Sequence, residues 1–120
     1  MPDTVVISVV DDDDSMRSST EGLLRSFGFR VLTFYSAEEF LASDAGLKSD
    51  CVVSDIQMPG LGGFGLAERL SAGGGPPVIL MTAFDTEKAA SQAKKAGVRD
   101  FLRKPFTAQT LVAAIARALG

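Results

Sequence analysis

Residues 52–60 read Val-Val-Ser-Asp-Ile-Gln-Met-Pro-Gly, and their order decides the fold. Cys51, Val52 and Val53 form a short apolar run rich in β-branched side chains, as a central strand buried on both faces requires. Met58-Pro59-Gly60 ends it: Pro59 cannot donate to a ladder, and Gly60 permits the positive φ of a tight turn. Asp55 is left at the carboxyl end of the strand. In open α/β sheets, ligands and chemistry gather at that end. We read Asp55 as a phosphoryl acceptor that the remaining elements position and charge.

On the N-terminal side, residues 4–10 (Thr-Val-Val-Ile-Ser-Val-Val) form another β-branched run and read as a first strand. Asp11-Asp12-Asp13-Asp14 follow it. Residues 15–27 then carry Met16, Leu23, Leu24 and Phe27 at helical spacing, leave Arg17 and Arg25 for solvent, and stop at Gly28. Residues 29–34 read as a second strand. Ser36 and Glu39 make a capping box that opens a short helix through Leu41, and residues 43–49 read as a loop.

On the C-terminal side, a third helix carries Leu66, Ala67 and Leu70 behind Gly60, Gly62, Gly63 and Gly65. Residues 78–82 (Val-Ile-Leu-Met-Thr) read as a fourth strand ending at Thr82. A fourth helix, from Asp85 or Thr86 to Ala96, stops at Gly97. Residues 98–102 read as a fifth strand, Lys104-Pro105-Phe106 turns the chain, and Thr107 caps a last helix through Leu119. Five apolar strands alternating with five helices predict right-handed crossovers and a parallel sheet covered on both faces. The flavodoxin-like strand order 2-1-3-4-5 would set the first and third strands side by side, although the pattern alone does not dictate that adjacency.

The chain has 120 residues, 46% of them apolar and 22% charged, enough for one compact domain spanning 1–120 with a real core and a polar surface. A net charge of -3 argues against a nucleic-acid surface, which normally clusters Lys and Arg. No apolar run approaches a membrane span. The single cysteine, Cys51, cannot form an internal disulfide and reads as a small buried hydrophobe, so a bacterial-style cytoplasm is the expected compartment. Histidine is absent, which excludes a Ser-His-Asp triad and His-based zinc sites. Chemistry must run on carboxylates, hydroxyls, lysine and a hard cation.

Four consecutive aspartates at a strand end are costly. Two unit charges about 4 Å apart repel by roughly 1 kcal/mol in water and about 4 kcal/mol at an effective dielectric near 20. Acids in the first turn of a helix suit its macrodipole, which accounts in part for Asp13 and Asp14. It leaves Asp11 and Asp12 unexplained alongside Asp55. A hard divalent cation such as Mg²⁺ (or Mn²⁺) takes one or two carboxylates plus water and phosphate oxygens, and would suit all three. A carboxylate can form an acyl phosphate. Charge on the transferring group is then balanced by the cation, a lysine and hydroxyl or backbone donors, which Lys104 and Thr82 would supply from neighbouring strand ends.

Asp11-Asp12, Asp55 with Met58-Pro59 and Gly63, Thr82-Ala83, and Lys104-Pro105-Phe106 resemble the full signature of receiver domains of two-component response regulators along nearly the whole chain. Asp-Phe-Leu-Arg-Lys-Pro-Phe, residues 100–106, resembles the FixJ-like group in particular. The resemblance implies a (βα)5 three-layer fold and phosphorylation of Asp55 by a sensor histidine kinase or by small phosphodonors, followed by slow self-dephosphorylation rather than enzymatic turnover. It implies Mg²⁺ held by Asp12, Asp55 and the backbone carbonyl of Gln57, with Asp11 acting through water. Lys104 would pair with the phosphoryl group and precede a cis proline. Thr82 and Phe101 would be a switch pair, changing the face formed by the fourth helix, fifth strand and last helix, through which a homodimer can form.

Some positions depart from the commoner family pattern. Gly62 and Gly65 stand where polar residues are usual, which predicts a mobile loop after Asp55; Gly65 within a helix costs roughly 1 kcal/mol relative to Ala. Phe84 is expected to shield an acyl phosphate from water. Two competing readings remain at this stage. Asp11-x-Asp13-x-Ser15 loosely matches the haloacid-dehalogenase-like phosphatase motif, and a degenerate receiver would serve as a docking module alone. The phosphatase reading leaves the turn after Asp55 unexplained.

Overall fold

The computed structural model describes residues 4–83 and 87–120. The strands are β1 (Val6–Val10), β2 (Arg30–Phe34), β3 (Cys51–Asp55), β4 (Val78–Thr82) and β5 (Asp100–Arg103). The helices are α1 (Asp14–Ser26), α2 (Ala37–Ala42), α3 (Ala45–Lys48), α4 (Gly62–Ala72), α5 (Glu87–Lys95) and α6 (Ala108–Leu119). The strands form one parallel sheet in the order β2-β1-β3-β4-β5. Ile7 pairs with Cys51 and Val10 with Ser54, so the residues following β1 and ending β3 emerge side by side.

Alternation along each strand divides the core into two layers. Ile7, Val9, Val53, Ile79 and Met81 pack with Leu24 of α1 and Leu111 and Ile115 of α6. Val10, Val52 and Leu80 pack with Phe40 of α2, Leu66 and Leu70 of α4 and Ala93 of α5. β3 and β4 are buried at every position, as their continuous apolar runs require. Cys51 is fully buried, and desolvation pushes its thiol up to about 12. Among the described residues, no helix is long and apolar enough to cross a membrane.

Three expectations change. Residues 43–49 contain a sixth helix, the single turn α3, where Ser43 Oγ accepts from the Ala45 N–H (3.1 Å) and Lys48 pairs with Asp44 (3.1 Å). Four helical residues are too few to show a period. The second and fifth strands begin at Arg30 and Asp100, after the expected Phe29 and Val98. In both cases the preceding helix ends in a Schellman turn: Phe29 N–H donates to Leu24 O (3.2 Å) and Val98 N–H to Ala93 O (3.3 Å), so each still serves its helix. Phe27 lies in the cap turn of α1, where the backbone has left helical values, and is 49% exposed instead of facing the core. Phe84 and the expected start of the fourth helix lie outside the described residues.

Candidate functional site: an acidic cluster at the carboxyl end of the sheet

Two adjacent strands bring the acids together. Asp11 follows β1 directly, with its N–H donating to Phe34 O (3.0 Å), and Asp55 ends β3. One carboxylate oxygen each from Asp11, Asp12 and Asp55 lie within 4.8 Å of one another. Asp11 is fully buried, Asp55 nearly so, and Asp12 is exposed. Asp13 turns away: it is the N-cap of α1, its Oδ1 accepting from Met16 N–H at 2.9 Å. Its own N–H donates to Asp11 Oδ1 at 3.0 Å. Asp14 pairs with Arg17 at 2.6 Å on the surface.

Lys104, just past β5, reaches back over the cluster. Its backbone N–H donates to Thr82 O (2.7 Å), and its Nζ lies 3.5 Å from Asp55 Oδ1 and 3.7 Å from Asp11 Oδ2. The Lys104–Pro105 peptide is cis, as the resemblance implied. Thr82 is buried at the end of β4. Phe101 is half-buried on the α4–α5 side of the sheet, and Gln57 is exposed in the loop leaving β3. All the expected site residues therefore lie at one end of the sheet or, for Phe101, one strand behind it.

Burial raises both buried carboxyls above the usual 3.8. For Asp11, desolvation is opposed by the Asp13 N–H and Lys104 and reinforced by Asp12. For Asp55, desolvation is opposed by Lys104 and reinforced by Asp11. One lysine thus faces two buried acids. Asp11 Oδ2 has no hydrogen-bond partner at all among the described residues. A buried acceptor left bare carries a desolvation penalty that something must relieve. An orphan carboxylate oxygen beside two more carboxylates is the donor set a hard divalent cation prefers, so the residues fit Mg²⁺.

Two features escaped the linear reading. Arg17 does not point to solvent: its Nη1 donates to Asp11 O at 2.9 Å while Nη2 holds Asp14. The i,i+3 spacing from Asp14 was the available signal. Gly63 has a packing reason rather than a flexibility reason, because a Cβ there would run into Asp55 O and approach Ile56 Cα to 2.9 Å. Helix α4 can start beneath the end of β3 only without a side chain at that position. Gly65 is similar, since its missing Cβ leaves room for Leu61 (Cγ at 2.6 Å).

The response regulator receiver domain family matches residues 7–116. Transcriptional regulatory protein FixJ of Bradyrhizobium diazoefficiens is 45% identical over 114 residues, covering 94% of this chain and 56% of that protein. FixJ of Azorhizobium caulinodans is 40% identical over 121 residues, covering 100% of this chain and 57% of that protein. This chain spans little more than half the length of these relatives. The crystal structure of FixJ-N superposes with a TM-score of 0.87 at 34% identity, covering 99% of this chain and 95% of that one. Vibrio cholerae chemotaxis protein CheY4 superposes with a TM-score of 0.88 at 26% identity, covering 98% and 100% respectively. Strand order, acidic pocket and sequence agree: the chain belongs to the response regulator receiver domains and is FixJ-like.

Proposed function

We propose that Asp55 accepts a phosphoryl group from a sensor histidine kinase, with Asp11, Asp12, Asp55 and the Gln57 carbonyl holding Mg²⁺ (or Mn²⁺). The observation that carries this is the buried Asp11 Oδ2, which no hydrogen bond satisfies, within reach of Asp12 and Asp55. When bound, the cation neutralises charge on the phosphoryl oxygens. The rest falls to this chain. A carboxylate oxygen of Asp55 attacks phosphorus as the bond to the donor nitrogen breaks, leaving an acyl phosphate. Lys104, already 3.5 Å from Asp55, offers its ammonium to the incoming group, and the Thr82 hydroxyl donates to it. An apolar hollow of about 440 Å³, lined by Met16, Ala83, Lys104, Pro105 and Phe106, opens beside this end of the sheet and suits a docking donor.

Residues 1–120 act in this reading as one signalling domain in the cytoplasm, with slow loss of the phosphoryl group as their only further chemistry. Thr82 moving toward the phosphoryl group and Phe101 turning inward change the α5-β5-α6 face, which then supports a homodimer. Only a differential preference of the phosphorylated form for that arrangement shifts its population. The test is labelling with acetyl phosphate and Mg²⁺, read by intact mass and peptide mapping, with size measured in parallel. One phosphoryl group on Asp55, lost in Asp55→Asn or on chelation, is expected. Label on Asp11 would favour the phosphatase chemistry, and no Mg²⁺-dependent label would leave a docking module.

A further inference from the structure

We propose that Glu38 is a positioning residue: from α2 it straps the loop between β3 and α4 and so sets the backbone around Gln57 for cation binding. This rests on the functional reading above. Glu38 Oε2 accepts from the Leu61 N–H at 2.8 Å, a link across 23 positions from one crossover to the next. Gly60 makes room for it. A Cβ on Gly60 would strike the Glu38 carboxylate, approaching Cδ to 3.0 Å and Oε1 to 3.1 Å. The glycine is thus needed twice, for its φ of 79° and for the space the carboxylate fills.

Two backbone bonds hold the ends of the loop: Ile56 N–H donates to Met81 O (2.9 Å) at its start, and Gly63 N–H donates to Ile56 O (3.1 Å) where α4 begins. The Glu38 bond lies between them, at Leu61. Met58 is buried in the α2–α4 layer, but apolar burial is non-directional. The Glu38 bond is directional and charge-assisted, and the Leu61 N–H is the leading reason the Glu38 carboxyl lies below its ordinary range. Glu39, its neighbour, is already committed to the Tyr35 N–H (2.8 Å), so the two adjacent acids have separate duties. Partners that hydrogen-bond a metal ligand directly are worth roughly 10- to 100-fold in affinity, and Glu38, acting one step further out through Leu61, is expected at the low end.

The test is Mn²⁺ binding to the full chain, followed by the electron paramagnetic resonance of free Mn²⁺, with hydrogen exchange of the Leu61 amide alongside. Glu38→Ala is expected to weaken binding about tenfold and speed Leu61 exchange. Glu38→Gln keeps an acceptor oxygen at the same reach and should bind nearly as the unaltered chain does. Glu38→Asp is one methylene short and should resemble Glu38→Ala. The reverse order, with Asp restoring and Gln failing, would show a long-range charge effect and overturn the strap, as would equal affinity in all four proteins. No Mn²⁺ binding by the unaltered chain would overturn the functional reading and this inference together. Normal binding by Glu38→Ala would overturn this inference alone.

Discussion

Asp11→Asn should make the cation-free protein more stable and the cation-loaded protein relatively less so. Asp11 and Asp55 carry carboxylate oxygens no more than 4.8 Å apart, which at an effective dielectric near 20 corresponds to repulsion of about 3.5 kcal/mol or more. Lys104 Nζ at 3.7 Å returns about 4.5 kcal/mol on the same scale. These nearly cancel, and exposed Asp12 adds only a screened repulsion. What remains is the burial of an ionised carboxylate with one oxygen that no hydrogen bond satisfies, a penalty of several kcal/mol in real proteins. Asparagine keeps the Oδ1 acceptor for Asp13 N–H and puts a neutral amide in place of the charged Oδ2. A net gain of about 2 kcal/mol is expected, or about 8 °C in Tm for a chain of 120 residues. Thermal unfolding by circular dichroism in chelator and in Mg²⁺ measures it. Mg²⁺ at about 100 times Kd adds about 2.7 kcal/mol to the unaltered chain, which should then overtake the variant. A variant less stable than the parent in chelator, or an equal Mg²⁺ gain in both, would refute the reasoning.

The opposite substitution at the same site should have the opposite sign: Lys104→Met strips two buried acids of their counter-charge and should cost about 3 kcal/mol in chelator, measured by urea unfolding, with much of it regained on adding Mg²⁺. Stability in chelator should depend on pH through Asp11 and Asp55. Their folded values lie above the ordinary 3.8, so the folded chain holds protons that the unfolded chain has released, and stability should fall as pH rises from about 4 through the raised values. Melting curves across that window should show the fall in the parent and a smaller one in Asp11→Asn. Two glycines should respond in opposite directions to alanine. Gly22, mid-α1 with open space where Cβ would go, should gain about 1 kcal/mol, whereas Gly63→Ala should lose more than that by pushing on the Asp55 carbonyl.

Much of this was written locally. The β-branched runs, the Ser36 and Thr107 caps and the Gly28 and Gly97 stops each act within one turn or one strand, so they survive as patterns in a linear string. Asp11, Asp12, Asp55, Thr82 and Lys104 were identifiable because a parallel sheet puts every strand's carboxyl end on the same side. The strand boundaries at Phe29 and Val98 are not legible in the sequence, because a Schellman turn and a strand start accept the same apolar residue. Nor is the exposure of Phe27, because helical spacing continues in the sequence after the helix has stopped.

Amino-acid order alone determined which side chains end each strand and which ends carry acid, hydroxyl and ammonium. Only the tertiary structure decided that β1 lies against β3, that Lys104 faces two buried carboxylates, that one oxygen of Asp11 lacks a hydrogen bond, and that Glu38 reaches Leu61. The reason is range. Periodicity and capping are set by neighbours a few residues away, whereas these contacts join positions 23 to 93 apart, and which distant groups meet is settled by how two core layers pack on one sheet.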